Sequence, residues 1–188
     1  MSSNKKLLIL SEGVMGQVAK DIAESMGCFE QVDILDTNYG NKDYDATYHA
    51  EAIGNISEYE LFAGSYEFAI AAFEDSRKRI EWTEKLKEET YRVVSLVSSK
   101  AQISGAADIG EGSIIEALVQ IGPNTSVGSC CFIQAGSIIG HTCVVGLGCN
   151  IENNCLVKPQ AIVEAYRTLE SGKVVSSYEE YMQAREHE

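Results

Sequence analysis

The sequence predicts an α/β N-terminal Rossmann-like domain followed by a short left-handed parallel β-helix of about four coils. Two patterns in the second half carry the β-helix. Every sixth residue from Val97 to Val163 is Ile or Val: Val97, Ile103, Ile109, Ile115, Ile121, Val127, Ile133, Ile139, Val145, Ile151, Val157 and Val163. A period of six is neither helical nor a simple strand alternation, and it marks a hexapeptide repeat. The second pattern lies four residues after each of these. Ala101, Ala107, Ser113, Val119, Thr125, Cys131, Ser137, Cys143, Cys149, Cys155 and Ala161 are all small enough for a narrow prism. Alternating strand and helix signals in the first ninety residues carry the α/β half.

Three hexads close one triangular coil, so residues eighteen apart stack at the strand spacing of roughly 4.8 Å. Val97, Ile115, Ile133 and Ile151 form one internal column, and the other hexads form two more. Gly110, Gly122, Gly128, Gly140 and Gly146 follow their branched residues, where glycine is expected to relieve strain as the chain turns. The repeat is expected to end at Val163. The tail from Ala165 then reads as a capping element, with Val174-Val175 and an acidic helix from about Tyr178, because an open β-helix end exposes sheet edges.

Lys6 to Leu10 is a buried-strand run. The turn Ser11-Glu-Gly13-Val-Met-Gly16 follows, then a helix from Gln17 to Met26. Gln31 to Leu35 reads as a strand ending at Asp36, and Tyr66 to Phe73 as another. Asp75 can cap a helix from about Ser76 to Glu89, with Ile80, Trp82 and Leu86 towards its apolar face. Arg92 to Val97 is a strand leading into the repeat. Between Asn38 and Ser65 only a short strand near Ala46 to His49 is expected. The domains are therefore 1–92, 93–164 and a tail at 165–188.

The six cysteines fit the same frame. Four occupy the small interior slot, no CxxC pair occurs, and Cys behaves as a small hydrophobe. Packing is the expected role and no metal is expected. Free thiols in such numbers suit a reducing cytosol, so a cytoplasmic protein is expected. The net charge of −13 argues against nucleic acid or an anionic membrane as partner. Leu7 to Leu10 is too short to span a membrane.

Ser11 to Gly16 is a partial form of the glycine-rich nucleotide fingerprint: Gly13 and Gly16 are present and the first glycine is Ser11. Asp36 follows at the distance where a ribose hydroxyl is bound. This turn is either a nucleotide pocket at a helix N-terminus or an ordinary strand–helix connection.

At this point the chain resembles the bacterial sugar O-/N-acyltransferases, the UDP-4-amino-sugar acetyltransferase and sialic acid O-acetyltransferase type. The stretches that carry the resemblance are Leu7-Leu-Ile-Leu, Val18 to Gly27, Ile34-Leu-Asp36, Arg77-Lys-Arg-Ile-Glu with Lys85-Leu-Lys, and Ala135 to Gly146. The last of these is the most specific. The resemblance implies a divergent, C-terminally shortened member, and acetyl transfer from acetyl-CoA to a nucleotide-linked amino sugar or related sugar. It implies a homotrimer with active sites between neighbouring β-helices, and His141 as general base. Thr142 stands where relatives place an acidic residue that orients this histidine. Substrate-binding positions implied are Gly13, Met15, Gly16, Asp36 and Gln134. Cofactor-binding positions are Gly140, Asn150 and Lys158; Lys158, Arg167 and Lys173 are cations that either meet CoA phosphates or form a solvated surface. Pro159 lies eighteen residues after His141, where relatives offer a glycine N–H to the oxyanion, and proline has none. Phe73, where relatives have glycine, is expected to push a ring into the nucleotide pocket.

His141 also reads as a solvent-facing residue at a coil turn, and surface placement is expected for His49 and His187. The alternative function is a non-catalytic trimeric relative that binds a ligand or partner and has lost the acetyl-CoA site. A β-helix carbonic anhydrase would need three metal-binding histidines, which His141 alone cannot supply.

Overall fold

A computed structural model describes residues 5–41 and 51–176. The expected strand at Ala46–His49, His187 and the expected helix from Tyr178 lie outside the described residues. The chain divides into two compact units, between Ser99 and Lys100.

The first unit is built on a parallel five-stranded sheet. Its strands are β1 (Lys6–Ser11), β2 (Gln31–Asp36), β3 (Ala52–Asn55), β4 (Phe68–Ala72) and β5 (Arg92–Val93), in the order β3-β2-β1-β4-β5. Among the described residues it is accompanied by two α-helices, α1 (Val14–Met26) and α2 (Ser76–Glu88), and a 3-10 helix (Ile56–Phe62). The central strand β1 is buried from Leu7 to Leu10, as a parallel strand covered on both faces must be. Leu8 and Leu10 pack into a cluster with Leu35, Phe73, Leu86 and Tyr91. By strand alternation Leu7 and Ile9 face the other way. Ile34, paired with Ile9, meets α1 at Gly16. The Asp75 side chain accepts from the Lys78 N–H at 2.8 Å, the cap expected from the sequence.

Three elements differ from expectation. Helix α1 starts at Val14 rather than Gln17, with Gly13 as its N-cap. Strand β3 and the 3-10 helix lie inside the segment where the sequence showed no clear element. The expected strand Arg92–Val97 is two short strands. Arg92–Val93 pairs with Phe68–Ala69 and so belongs to the first sheet, which places an expected boundary at residue 92 inside β5.

The second unit is a stack of two-residue parallel strands in which each strand pairs with the one eighteen residues on. Gln102–Ile103, Gln120–Ile121, Ile138–Ile139, Leu156–Val157 and Val174–Val175 form one ladder. Asp108–Ile109, Ser126–Val127, Val144–Val145 and Ile162–Val163 form the second. Ile114–Ile115, Phe132–Ile133, Asn150–Ile151 and Thr168–Leu169 extend the third. The expected end at Val163 is corrected: Thr168–Leu169 and Val174–Val175 continue the stack in register. Leu169 is 6% exposed in the inward column, so a γ-branched residue fills the slot that Ile and Val fill elsewhere.

The small interior slot has a second use. Hydroxyls and thiols there donate to a carbonyl fifteen residues on: Ser113 to Gly128 (3.0 Å), Thr125 to Gly140 (2.6 Å) and Ser137 to Glu152 (2.7 Å). Cys131, Cys143, Cys149 and Cys155 do the same to Gly146, Lys158, Glu164 and Glu170. Each buried polar atom is thereby satisfied, and each ties two coils. Burial pushes the Cys143 and Cys155 thiols up. The Cys131 thiol beside Cys149 draws Cys149 down to about 7. All six cysteines are free.

The role expected of the corner glycines is also corrected. Left-handed backbone recurs three residues after each inward residue from Ile109 onward, at Gly112, Leu118, Asn124, Cys130, Gly136, Thr142 and on to Gly172, with φ from 54° to 74°. Gly110, Gly122, Gly128, Gly140 and Gly146 are not among these positions. They are required by contact: a Cβ on any of them would fall within 2.7 Å of a backbone nitrogen in the next coil.

Candidate active site

Gly140, His141 and Thr142 form the corner between the strands Ile138–Ile139 and Val144–Val145. Ile139 and Cys143 are buried on either side and anchor the corner to the prism interior. The corner backbone is held by the coils before and after it. The Thr142 N–H donates to the Pro123 carbonyl at 2.9 Å, and the Gly140 N–H to the Val157 carbonyl at 2.8 Å. The His141 carbonyl accepts the Gln160 N–H at 3.0 Å. The imidazole therefore projects from a fixed backbone while the ring itself is exposed. Its Nδ1 lies 3.3 Å from Thr142 Oγ1. Among the described residues no carboxylate hydrogen-bonds to His141.

Lys158, Pro159 and Gln160 stack one coil beyond Gly140, His141 and Thr142. A Cβ on Gly140 would stand 2.6 Å from the Pro159 nitrogen, which fixes how closely the two corners approach. Of the expected positions, the structure thus brings Gly140, His141, Thr142 and Lys158 to one corner. Gln134 sits at the preceding corner, where its Oε1 accepts from Asn153 Nδ2 at 2.8 Å. Asn150 lies in the strand Asn150–Ile151, its N–H bonded to the Arg167 carbonyl at 2.9 Å. Arg167 and Lys173 line a cleft of about 730 Å³ beside the last coil, and Lys158 does not.

In the first unit, Gly13, Gly16 and Asp36 meet at the β1–α1 turn, with Gln17, Ile34, Glu51 and Ala52 around the same hollow. Met15 is 4% exposed and packs inward from the first turn of α1, away from that lining. The expected intrusion of Phe73 is corrected. Its ring is fully buried and stacks on Trp82, centroids 6.3 Å apart and planes 17° from parallel. Sequence reasoning missed Arg79, fully buried in α2, which donates to the Phe73 and Glu74 carbonyls and fixes the end of β4. A charged residue on the inner face of an amphipathic helix was the available signal. Among the described residues no cluster of His, Cys, Asp or Glu could hold a metal ion, and no helix is long and apolar enough to cross a membrane.

Comparisons with known proteins match both units. Residues 6–86 match the PglD N-terminal domain, and residues 106–141 match the bacterial transferase hexapeptide (six repeats). No curated protein matches in sequence. Among solved structures, the fold is similar to a mutant of perosamine N-acetyltransferase from Caulobacter crescentus in complex with CoA and GDP-perosamine. The TM-score is 0.76 at 18% identity, over 92% of this chain and 89% of that one. It is also similar to the acetyltransferase domain of PglB from Neisseria gonorrhoeae FA1090, with TM-score 0.76 and 19% identity over 93% and 92% of the two chains. WeeI from Acinetobacter baumannii AYE is more distant, with TM-score 0.53 and 13% identity over 90% and 94%. At these identities the likeness is one of fold. The chain is thus similar in its two parts to the PglD N-terminal domain and to the bacterial transferase hexapeptide repeat, and shares its fold with the acetyltransferase structures above.

Proposed function

We propose that this protein transfers an acetyl group from acetyl-CoA to an amine or hydroxyl of a nucleotide-linked sugar, with His141 as general base. The observation that carries the reading is His141 itself. It is an exposed imidazole on a corner pinned by both neighbouring coils, at the end of the matched hexapeptide segment. The fold shared with sugar N-acetyltransferases supports the reaction class, and the CoA and GDP-perosamine bound in one of them support the two substrates.

The chemistry follows from the geometry. In the tautomer assigned in this reading, Nδ1–H donates to Thr142 Oγ1 and Nε2 is the acceptor. The sugar nucleophile attacks the thioester carbonyl carbon while Nε2 takes its proton. The tetrahedral intermediate then collapses, the C–S bond breaks, and the CoA sulfur leaves with a proton returned by the imidazolium. Thr142 orients the ring but lends no negative charge, so the imidazolium gains less than a carboxylate partner would give it. Gly140 and Lys158 flank the base, and Arg167 and Lys173 offer charge to the phosphates of CoA. Gln134, Asn150, Gly13 and Gly16 complete the proposed sites, while Met15 and Asp36 are buried. The reading includes a homotrimer, checked by light scattering, and a cytoplasmic location, consistent with six free cysteines.

A second reading, a ligand-binding relative without catalysis, is favoured by Pro159. Its nitrogen lies at the corner beyond His141 and carries no hydrogen to offer an oxyanion. Single-turnover transfer of labelled acetyl from acetyl-CoA to UDP- and GDP-linked amino sugars separates the two. Transfer that falls about 10²–10⁴-fold in His141→Ala, with unchanged circular dichroism, supports the first. Equal rates in the two proteins, or none in either, support the second.

A further inference from the structure

The glycine-rich turn of the first unit already holds an anion, and that anion belongs to the chain. Asp36 ends β2 directly opposite Ser11 in the β1–β2 register, and is 1% exposed. Its Oδ2 accepts two hydrogen bonds, from Ser11 Oγ–H at 3.0 Å and from the Gly13 N–H at 2.8 Å. Its Oδ1 accepts the Asn38 N–H at 2.8 Å. A carboxylate oxygen has about two acceptor sites, so Oδ2 is filled by the turn itself. An acidic residue here reads a ribose by accepting from its hydroxyls, for which an oxygen must be open to the ligand.

Ser11 is what redirects Asp36. A glycine at this first fingerprint position would bring no hydroxyl. Gly16 is fitted to the same contact, since a Cβ there would stand 2.5 Å from Ser11 Oγ. Gly13, at φ 67°, aims its N–H at Asp36 rather than outward to a phosphate. The remaining hollow over Gly13, Gly16 and Asp36 has a volume of about 10 Å³, room for about one water.

We infer that Asp36 is a positioning residue that holds the β1–α1 turn through Ser11 and Gly13, and that it does not read the ribose of the nucleotide. The inference rests on the proposed nucleotide-linked acceptor, and it sets a specificity: sugars linked to ribonucleotides and to 2′-deoxyribonucleotides are bound alike.

Two measurements on the full chain test it. Calorimetry with UDP against dUDP, and GDP against dGDP, is expected to give dissociation constants within about threefold in each pair. A hydroxyl held by a buried carboxylate contributes on the order of tenfold or more, and a preference of that size for the ribonucleotide overturns the inference. Amide exchange in the ligand-free protein tests the positioning role separately. Asp36→Asn and Ser11→Ala are expected to speed exchange at Gly13, with unchanged circular dichroism. Unchanged exchange in both variants overturns that role. If no nucleotide binds at millimolar concentration while Gly13 exchange responds as expected, the acceptor class and the specificity fall and the positioning role stands.

Discussion

Gly128 is the position where the packing of the β-helix can be tested most cleanly. Replaced by alanine, its Cβ would lie 2.7 Å from the Leu147 nitrogen, 2.8 Å from the Gly146 carbonyl carbon and 3.0 Å from the Gly146 oxygen. All three are backbone atoms, so no side chain can swing aside. The two coils are tied across this point by Gly128 N–H to the Val145 carbonyl and Gly148 N–H to the Ser129 carbonyl, at 2.8 and 2.9 Å. Relief requires the coils to part, and overpacking of this kind costs about 1–3 kcal/mol. Gly105→Ala is the control. Nothing lies within 4 Å of its Cβ and its φ is outside the left-handed region, so the substitution is expected to stabilise by about 0.4–1 kcal/mol through the unfolded chain. Urea unfolding followed by circular dichroism at 218 nm reads both. Gly128→Ala should lower the midpoint at constant slope, and Gly105→Ala should leave or raise it. Unfolding free energies for the two variants within about 0.5 kcal/mol of each other would refute the contact argument.

Pro159→Gly restores an N–H one coil beyond His141 and is expected to raise single-turnover transfer, by up to about 10²-fold; no change would show that this nitrogen does not face the oxyanion. Iodoacetamide on the native protein at pH 7.5 is expected to label exposed Cys28 alone, with the interior thiols reacting only in urea, as read by peptide mass. Alkaline titration is expected to weaken the first unit. Burial pushes Tyr91 up to about 12 and, with the Asp33 hydrogen bond, pushes Tyr66 up as well. The folded state prefers both phenols neutral. Their contribution is therefore complete below the unfolded value near pH 10 and is lost as pH rises through about 12, with Tyr91→Phe flattening the decline. Absorbance at 295 nm that shows both ionising normally would contradict this.

The architecture was readable because the repeat writes the same demand at every coil. Ile115, Ile133 and Ile151 meet one another at the strand spacing, so each residue testifies for its neighbours. The reading stopped too early where that demand relaxes. At Leu169 the branch point changes, and at Arg167 and Lys173 the small slot passes to exposed cations beside the last cleft. Helix α1 was read three residues late because Gly16 is a poor helix former, kept there by the Ser11 hydroxyl. Strand β3 was hidden by its brevity and by Gly54, where a Cβ would meet the Glu58 carboxylate at 2.6 Å. His141 stood out because the repeat itself has no need of a histidine. The partners of Asp36 did not, because Ser11 and Asp36 are joined only by the β1–β2 register across 25 residues.

Titration calorimetry of acetyl-CoA against the wild-type protein and His141→Ala tests the central claim most directly. The account predicts micromolar binding to both, because His141 serves the acceptor's proton and not the donor's affinity. No heat at millimolar acetyl-CoA in the wild-type protein would contradict it, and would leave the fold without the reaction proposed for it.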